Sequence, residues 1–201
     1  MYNPLMKGKL FIFLLLTAGL FLAPSAFVHA AIPDADYDGL ADYDEVLYHT
    51  DPNRFDTDAD GYGDGIEVQH DYDPNSLSIE KLQRHIEVNL ATQDLSYNVG
   101  PYIMKVIKIS SGIRGKETPK GTYTVLGKYP TVNYKGVDYY YPNTKWNLRF
   151  KLSPLGNYYI HGAYWHRSFG RPMSHGCINV SYANMEALYN WAQVGTVINI
   201  Y

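Results

Sequence analysis

Cys177 is the only cysteine in this chain of 201 residues. It stands in Ser174-His175-Gly176-Cys177-Ile178-Asn179, with a second His-Gly pair, His161-Gly162, upstream. These residue types describe a thiol nucleophile. A thiol attacks as its thiolate, so it needs an imidazole within reach to take its proton, and backbone N–H groups aimed at the oxyanion it creates. His161 is the expected base. His175 competes for that role, although its expected place is the oxyanion hole, with the Gly176 and Cys177 amides. Ser174 and Asn179 are expected to fix the geometry of the loop. The spacer from Ala163 to Met173 holds Tyr164, Trp165, His166, Arg167, Phe169 and Arg171 and reads as a loop able to cover the cleft. A zinc site from His161, His166, His175 and Cys177 has the right atom types but no common zinc spacing.

Taken together, these residues resemble the L,D-transpeptidase (YkuD-type) catalytic domain, whose signature is a histidine, a variable spacer, then Ser/Thr-His-Gly-Cys-hydrophobic-Asn. Ser110-Ser111-Gly112 and the stretch Glu117 to Val125, containing Thr118-Pro119-Lys120-Gly121, resemble a second feature of the same family. The resemblance covers residues 84–201. It implies that the Gly162 carbonyl holds the far nitrogen of His161, that Cys177 forms a thioester with peptidoglycan stem peptides, and that 3-3 cross-links result. It also implies L,D-carboxypeptidase activity as a side reaction, inhibition by carbapenem-type compounds and no catalytic cofactor. Sortases also place a histidine before a cysteine, but need a later arginine, and residues 178–201 contain no Lys or Arg.

A different chemistry occupies residues 34–67. Asp34, Asp36, Asp38, the Leu40 carbonyl, Asp42 and Glu45 fall at positions 1, 3, 5, 7, 9 and 12 of a calcium loop, with Gly39 at the turn. Asp56, Asp58, Asp60, the Tyr62 carbonyl, Asp64 and Glu67 repeat that grid, and Asp51-Pro52-Asn53 recurs as Asp73-Pro74-Asn75. Pro33 and the Pro52 to Phe55 segment leave no room for the leading helices of EF-hands. The pair resembles bacterial thrombospondin type 3 repeats, which implies two structural Ca²⁺ ions. With almost no aliphatic core, such a module would draw its folding energy from the metal.

Positioning these groups calls for a domain and a spacer. Strand-like runs at His85 to Leu90, Tyr102 to Ser110, Thr122 to Leu126, Leu148 to Leu152, Tyr158 to His161 and Thr196 to Ile200, with one helix over Tyr182 to Ala192, predict a mainly β, β-sandwich-like domain with one main helix. Residues 34–73 hold 14 acidic residues against Arg54 alone, whereas residues 79–201 hold 14 basic against 6 acidic. An acidic module is therefore joined to a basic one. Lys7 and Lys9, the apolar run Leu10 to Leu22 and Val28-His29-Ala30 have the layout of a secretory signal peptide, and the run is short of the ~20 residues that span a bilayer. The expected organisation is a signal peptide (1–30), calcium repeats (31–76), a linker (77–83) and a catalytic domain (84–201), exported from a bacterial cytoplasm. No nucleic-acid partner is expected, and membrane contact only through an uncleaved signal segment. A second reading is a calcium-dependent wall-binding or adhesion protein whose transpeptidase-like domain is inactive.

Overall fold

The computed structural model describes residues 32–154 and 156–201; the expected signal segment lies outside them. Its sheet grows from apolar residues spaced two apart. Ile86 and Val88, Ile107 and Ile109, Leu148 and Phe150, and Ile198 and Ile200 are each at most 4% exposed, which places them on the inward face of their strands. The strands are β1 (Arg84–Asn89), β2 (Asp94–Val99), β3 (Tyr102–Ser110), β4 (Gly121–Thr124), β5 (Gly127–Lys135), β6 (Tyr140–Lys151), β7 (Tyr158–Ala163), β8 (Ile178–Ser181) and β9 (Val197–Ile200). They form one sheet in the order β4-β9-β1-β2-β3-β8-β7-β6-β5. Only β1–β9 and β7–β8 are parallel neighbours.

Although β4 is an edge strand and β6 lies far from it in that order, the two meet. The Leu126 N–H donates to the Arg149 carbonyl at 2.7 Å, and Tyr123 packs edge-on against Phe150. The sheet thus curls on itself and closes a core between its halves, giving the expected mainly β architecture. The main helix, α3 (Tyr182–Trp191), seals that core with the fully buried Met185 and Leu188. No helix among the described residues is long and apolar enough to cross a membrane.

Two short helices, α1 (Asp42–Tyr48) and α2 (Asp64–Gln69), close the acidic loops, and among the described residues no helix runs directly into either loop. Their acidic first turns, with Asp42, Asp44 and Glu45 in α1 and Asp64 and Glu67 in α2, suit the positive end of a helix dipole.

The repeats are docked on the sheet. Leu40, Tyr48 and Tyr102 form a buried cluster, joined by Leu47, Val68, Leu82 and Met104. The Tyr102 hydroxyl donates to Asp73 and accepts from Asn75, whose amide also donates to the Tyr48 carbonyl at 2.8 Å. Arg84 donates through Nε and Nη2 to Asp71 at 3.0 and 2.8 Å and through Nη1 to the Trp191 carbonyl. The second Asp-Pro-Asn copy therefore binds the sheet. The first works locally: the Asn53 N–H donates to Asp51, and the Asp51 N–H to Thr57.

Candidate active site

β7 carries His161, and β8 begins one residue after Cys177. Ile160 pairs with Ile178 in the parallel register, and both side chains are fully buried in the core. Strand alternation then sends their neighbours, His161 and Asn179, to the other face side by side. Cys177, His161, Ser174, His175 and Asn179 line one pocket of about 40 Å³, walled by Tyr134, Tyr139, Tyr141, Trp165 and Met173. That volume admits little more than a water. A wider cleft of about 310 Å³ reaches Cys177 and His175 from the side of Asn133, Lys135, Asn157 and Tyr159.

His161 is 3% exposed, and its Nδ1 lies 2.9 Å from the Gly162 carbonyl. A carbonyl can only accept, so Nδ1 carries the proton and Nε2 keeps its lone pair. Burial pushes the imidazole down to about 4, against a smaller opposing effect of the Gly162 bond. Glycine at 162 leaves room for the Tyr182 ring: a Cβ there would lie 2.5 Å from the ring and 3.0 Å from the Lys145 carbonyl, so a larger residue would have to displace Tyr182. Burial also pushes the Cys177 thiol up to about 11, against a hydrogen bond from the Tyr159 backbone. At neutral pH the pair is thiol and neutral imidazole.

The second motif stretch braces the nucleophile loop. The Thr118 hydroxyl accepts from the Gly112 N–H and donates to the Gly176 carbonyl, both at 2.9 Å. Gly112 is in register with Ser174, and the Ser174 N–H donates to the Ser111 carbonyl at 3.0 Å. A Cβ at Gly112 would fall 2.0 Å from the Lys116 carbonyl oxygen. The Ser174 hydroxyl donates to the Cys177 carbonyl and accepts from the Gly176 N–H at 3.1 Å. The Gly176 amide, expected in the oxyanion hole, is thus engaged within its own loop. Gly176 itself has φ +120°, a conformation that L side chains rarely adopt.

The His175 ring turns toward the β5–β6 connection, packing against Tyr139 at 4.4 Å with Nε2 3.8 Å from Asp138. Tyr134 stacks on His161 at 4.4 Å, and Tyr141 lies parallel to Trp165 at 3.8 Å. Sequence reasoning missed Tyr134, Tyr139, Tyr141 and the bracing role of Thr118. The tyrosine run Tyr139-Tyr140-Tyr141 was the available signal. Of the spacer aromatics, Trp165 reaches the pocket, while Tyr164 is half-exposed and donates to the Pro142 carbonyl.

In each acidic loop three carboxylates converge, with oxygens of Asp34, Asp36 and Asp38, and of Asp56, Asp58 and Asp60, all within 4.8 Å of one another. Buried oxygens of Asp34, Asp36, Glu45, Asp58 and Glu67 have no hydrogen-bond partner. Unpartnered anionic oxygens around one point are what a hard cation satisfies. The position-nine residues, like Asp38 and Asp56, also accept hydrogen bonds that shape the loops. Asp42 accepts from the Ala35 N–H at 2.8 Å, and both Asp64 oxygens accept from Thr57, at 2.8 and 2.6 Å. They clamp the loops.

Residues 83–200 match the family model of the L,D-transpeptidase catalytic domain, YkuD. The chain belongs to that family. Residues 34–54 and 56–76 match the bacterial TSP3 repeat, a calcium-binding type. No curated protein matches the chain. Among solved structures, an L,D-transpeptidase from Mycobacterium smegmatis is similar at 25% identity and a TM-score of 0.55, over 60% of this chain and 59% of that one. The chain thus spans under two thirds of that relative's length. The E. faecium L,D-transpeptidase catalytic domain acylated by ertapenem shares the fold, with 24% identity and a TM-score of 0.52, over 61% of this chain and 99% of that one.

Proposed function

We propose that this L,D-transpeptidase family member cross-links peptidoglycan stem peptides through a Cys177 thioester. The observation that carries the reading is the single pocket shared by Cys177 and a buried, neutral His161 whose tautomer leaves Nε2 as a base. Cys177 Sγ attacks the carbonyl carbon of the L-centre of the third stem residue while its proton passes to His161. Collapse of the tetrahedral oxyanion breaks the C–N bond to the terminal D-alanine, and His161 returns the proton to the leaving amine. An amine of a second stem then attacks the thioester, gives up a proton through His161 and frees the Cys177 thiol, leaving a 3-3 cross-link. Water in place of that amine gives the L,D-carboxypeptidase side reaction. With the Gly176 amide engaged by Ser174, the Cys177 amide is the oxyanion donor in this scheme, and His175 forms the wall between the two openings to the sulfur. A carbapenem, by analogy with the ertapenem-acylated E. faecium domain, would acylate the same thiol.

Because the resting pair is neutral, proton transfer accompanies attack and no thiolate is stored beforehand. The expected kcat/KM for acylation is flat through neutral pH, with an acid limb near 4 as His161 protonates and an alkaline limb near 11 as the thiol ionises. Acylation rates from about pH 3 to about pH 11 check this. An acid limb at the ordinary histidine value, near 6.5, contradicts it.

In the repeats, Asp34, Asp36, Asp38, the Leu40 carbonyl, Asp42 and Glu45 would hold one Ca²⁺, and Asp56, Asp58, Asp60, the Tyr62 carbonyl, Asp64 and Glu67 the other. The ions would supply charge compensation and folding energy, and acyl transfer would use neither. The proposed layout is an exported protein with an N-terminal signal segment, a calcium module over residues 31–76, a short connection and a catalytic domain over 84–201. It would work in the wall or periplasm, where members of this family typically act.

A further inference from the structure

His166 has no task in the acyl-transfer chemistry and is not among the residues that line the small pocket. Its ring packs against Phe169 at 4.8 Å and lies 6.2 Å from Trp165. Burial pushes its pKa below the ordinary histidine value, so at neutral pH the ring carries one proton. The location of that proton follows from its neighbours. The Ser168 backbone N–H donates to Nδ1 at 3.2 Å, so Nδ1 is the lone-pair nitrogen and Nε2 bears the hydrogen.

Nε2 lies 3.0 Å from the side-chain amide nitrogen of Asn179, while the Asn179 oxygen is buried without a partner. Two donors face each other in that arrangement. Amide oxygen and nitrogen are assigned from their hydrogen bonds, and here the bonds require their exchange. With Oδ1 accepting from His166, the Asn179 NH₂ takes the unpartnered end. Asn179 is 2% exposed, neighbours His161 across the β7–β8 register, and lines the Cys177 pocket.

We infer that His166 is a positioning residue whose Nε2–H locks the amide of Asn179, a residue that lines the Cys177 pocket, so that its NH₂ takes the buried, unpartnered end and serves as a donor for a carbonyl or carboxylate oxygen of the acyl donor once substrate opens a way to it. The identity of that ligand rests on the acyl-transfer reading; the direction of the amide does not. A buried donor that stays unpaired until substrate arrives gains its hydrogen bond only in the complex.

Two measurements on the full chain test the inference. Long-range ¹H–¹⁵N correlation of ¹⁵N-histidine-labelled protein, with the His166 signals assigned by their loss in His166→Phe, should show the Nε2–H tautomer; an Nδ1–H tautomer overturns the proposal. Acylation by a stem tetrapeptide should fall about tenfold in kcat/KM in His166→Phe, the loss of roughly one neutral hydrogen bond, mainly through KM. Asn179→Ala should fall as far, the double variant no further, and His166→Gln, which keeps a donor, should recover most of the loss. Multiplying losses in the double variant, or an unchanged KM in His166→Phe, overturns the proposal. So does a parallel fall in Cys177 alkylation by iodoacetamide, which would mark general collapse of the site. If the wild-type chain is not acylated at all, the acyl-transfer reading falls, and the tautomer still decides the direction of the amide.

Discussion

Replacing His161 with glutamine is expected to slow acylation of Cys177 by ~10²–10⁴-fold, the usual worth of a positioned general base. The structure explains why nothing nearby compensates. Burial pushes the thiol up to about 11, so at neutral pH almost none of it is ionised, and the attacking sulfur depends on a base to remove its proton. His175 turns its ring to Tyr139 and Asp138, and His166 spends both ring nitrogens on Ser168 and Asn179. Glutamine approximates the volume of histidine and can donate an N–H to the Gly162 carbonyl, so the β7–β8 pair should persist. Adduct formation followed by intact mass, with circular dichroism as the fold check, measures the effect. A variant that acylates within a fewfold of wild type would remove His161 from the base role.

Chelating calcium from the full chain is expected to open residues 34–75 to protease while Cys177 continues to be acylated. Burial, and then the charge of Asp36 for Glu45 and of Asp60 for Glu67, pushes both carboxyls up to about 7 in the metal-free fold. A carboxyl raised above its unfolded value favours the fold below that value, near 4.5, and the contribution is lost as pH rises through about 7. The metal-free module should therefore weaken between those limits. Calcium, which binds the ionised carboxylates, should protect increasingly over the same range. At a hundredfold excess over its dissociation constant, each site adds about 2.7 kcal/mol. Because Asp71, Asp73 and Asn75 tie the module to Arg84 and Tyr102, chelation should also lower the melting temperature of the sheet, with smaller effect at pH 5 than at pH 8. Digestion that ignores calcium at pH 8 would contradict this account of the module.

The chemistry was legible in the sequence because each participant is a rare residue type at a fixed spacing. Cys177, His161 and the two carboxylate grids need no tertiary information to be noticed. β3, rich in β-branched and other apolar residues, was read to its limits. β2 was missed although Leu95, Tyr97 and Val99 alternate with Asp94, Ser96 and Asn98, a pattern legible as a half-buried strand; β5 was missed because Lys128 and Pro130 interrupt its pattern, and pairing with β6 sets it. Pro130 is tolerated because β5 is an edge strand. β8 is only four residues long and was hidden inside the motif it supports. The aromatic wall was out of reach for another reason. Tyr134, Tyr139 and Tyr141 meet His161, His175 and Trp165 only after β5 and β6 fold back beside β7, and no local spacing encodes that juxtaposition. Docking of the repeats was likewise invisible, since Asp73 and Asn75 first read as a copy of Asp51 and Asn53.

Intact-mass spectrometry of the full chain, loaded with calcium and incubated with a tetrapeptide stem, tests the central claim most directly. The predicted result is a covalent adduct whose mass equals the stem less its terminal D-alanine, located on Cys177 by peptide mapping and absent from Cys177→Ser. An unmodified wild-type protein, under conditions where iodoacetamide alkylates Cys177, would contradict the claim and favour a wall-binding protein on a transpeptidase fold.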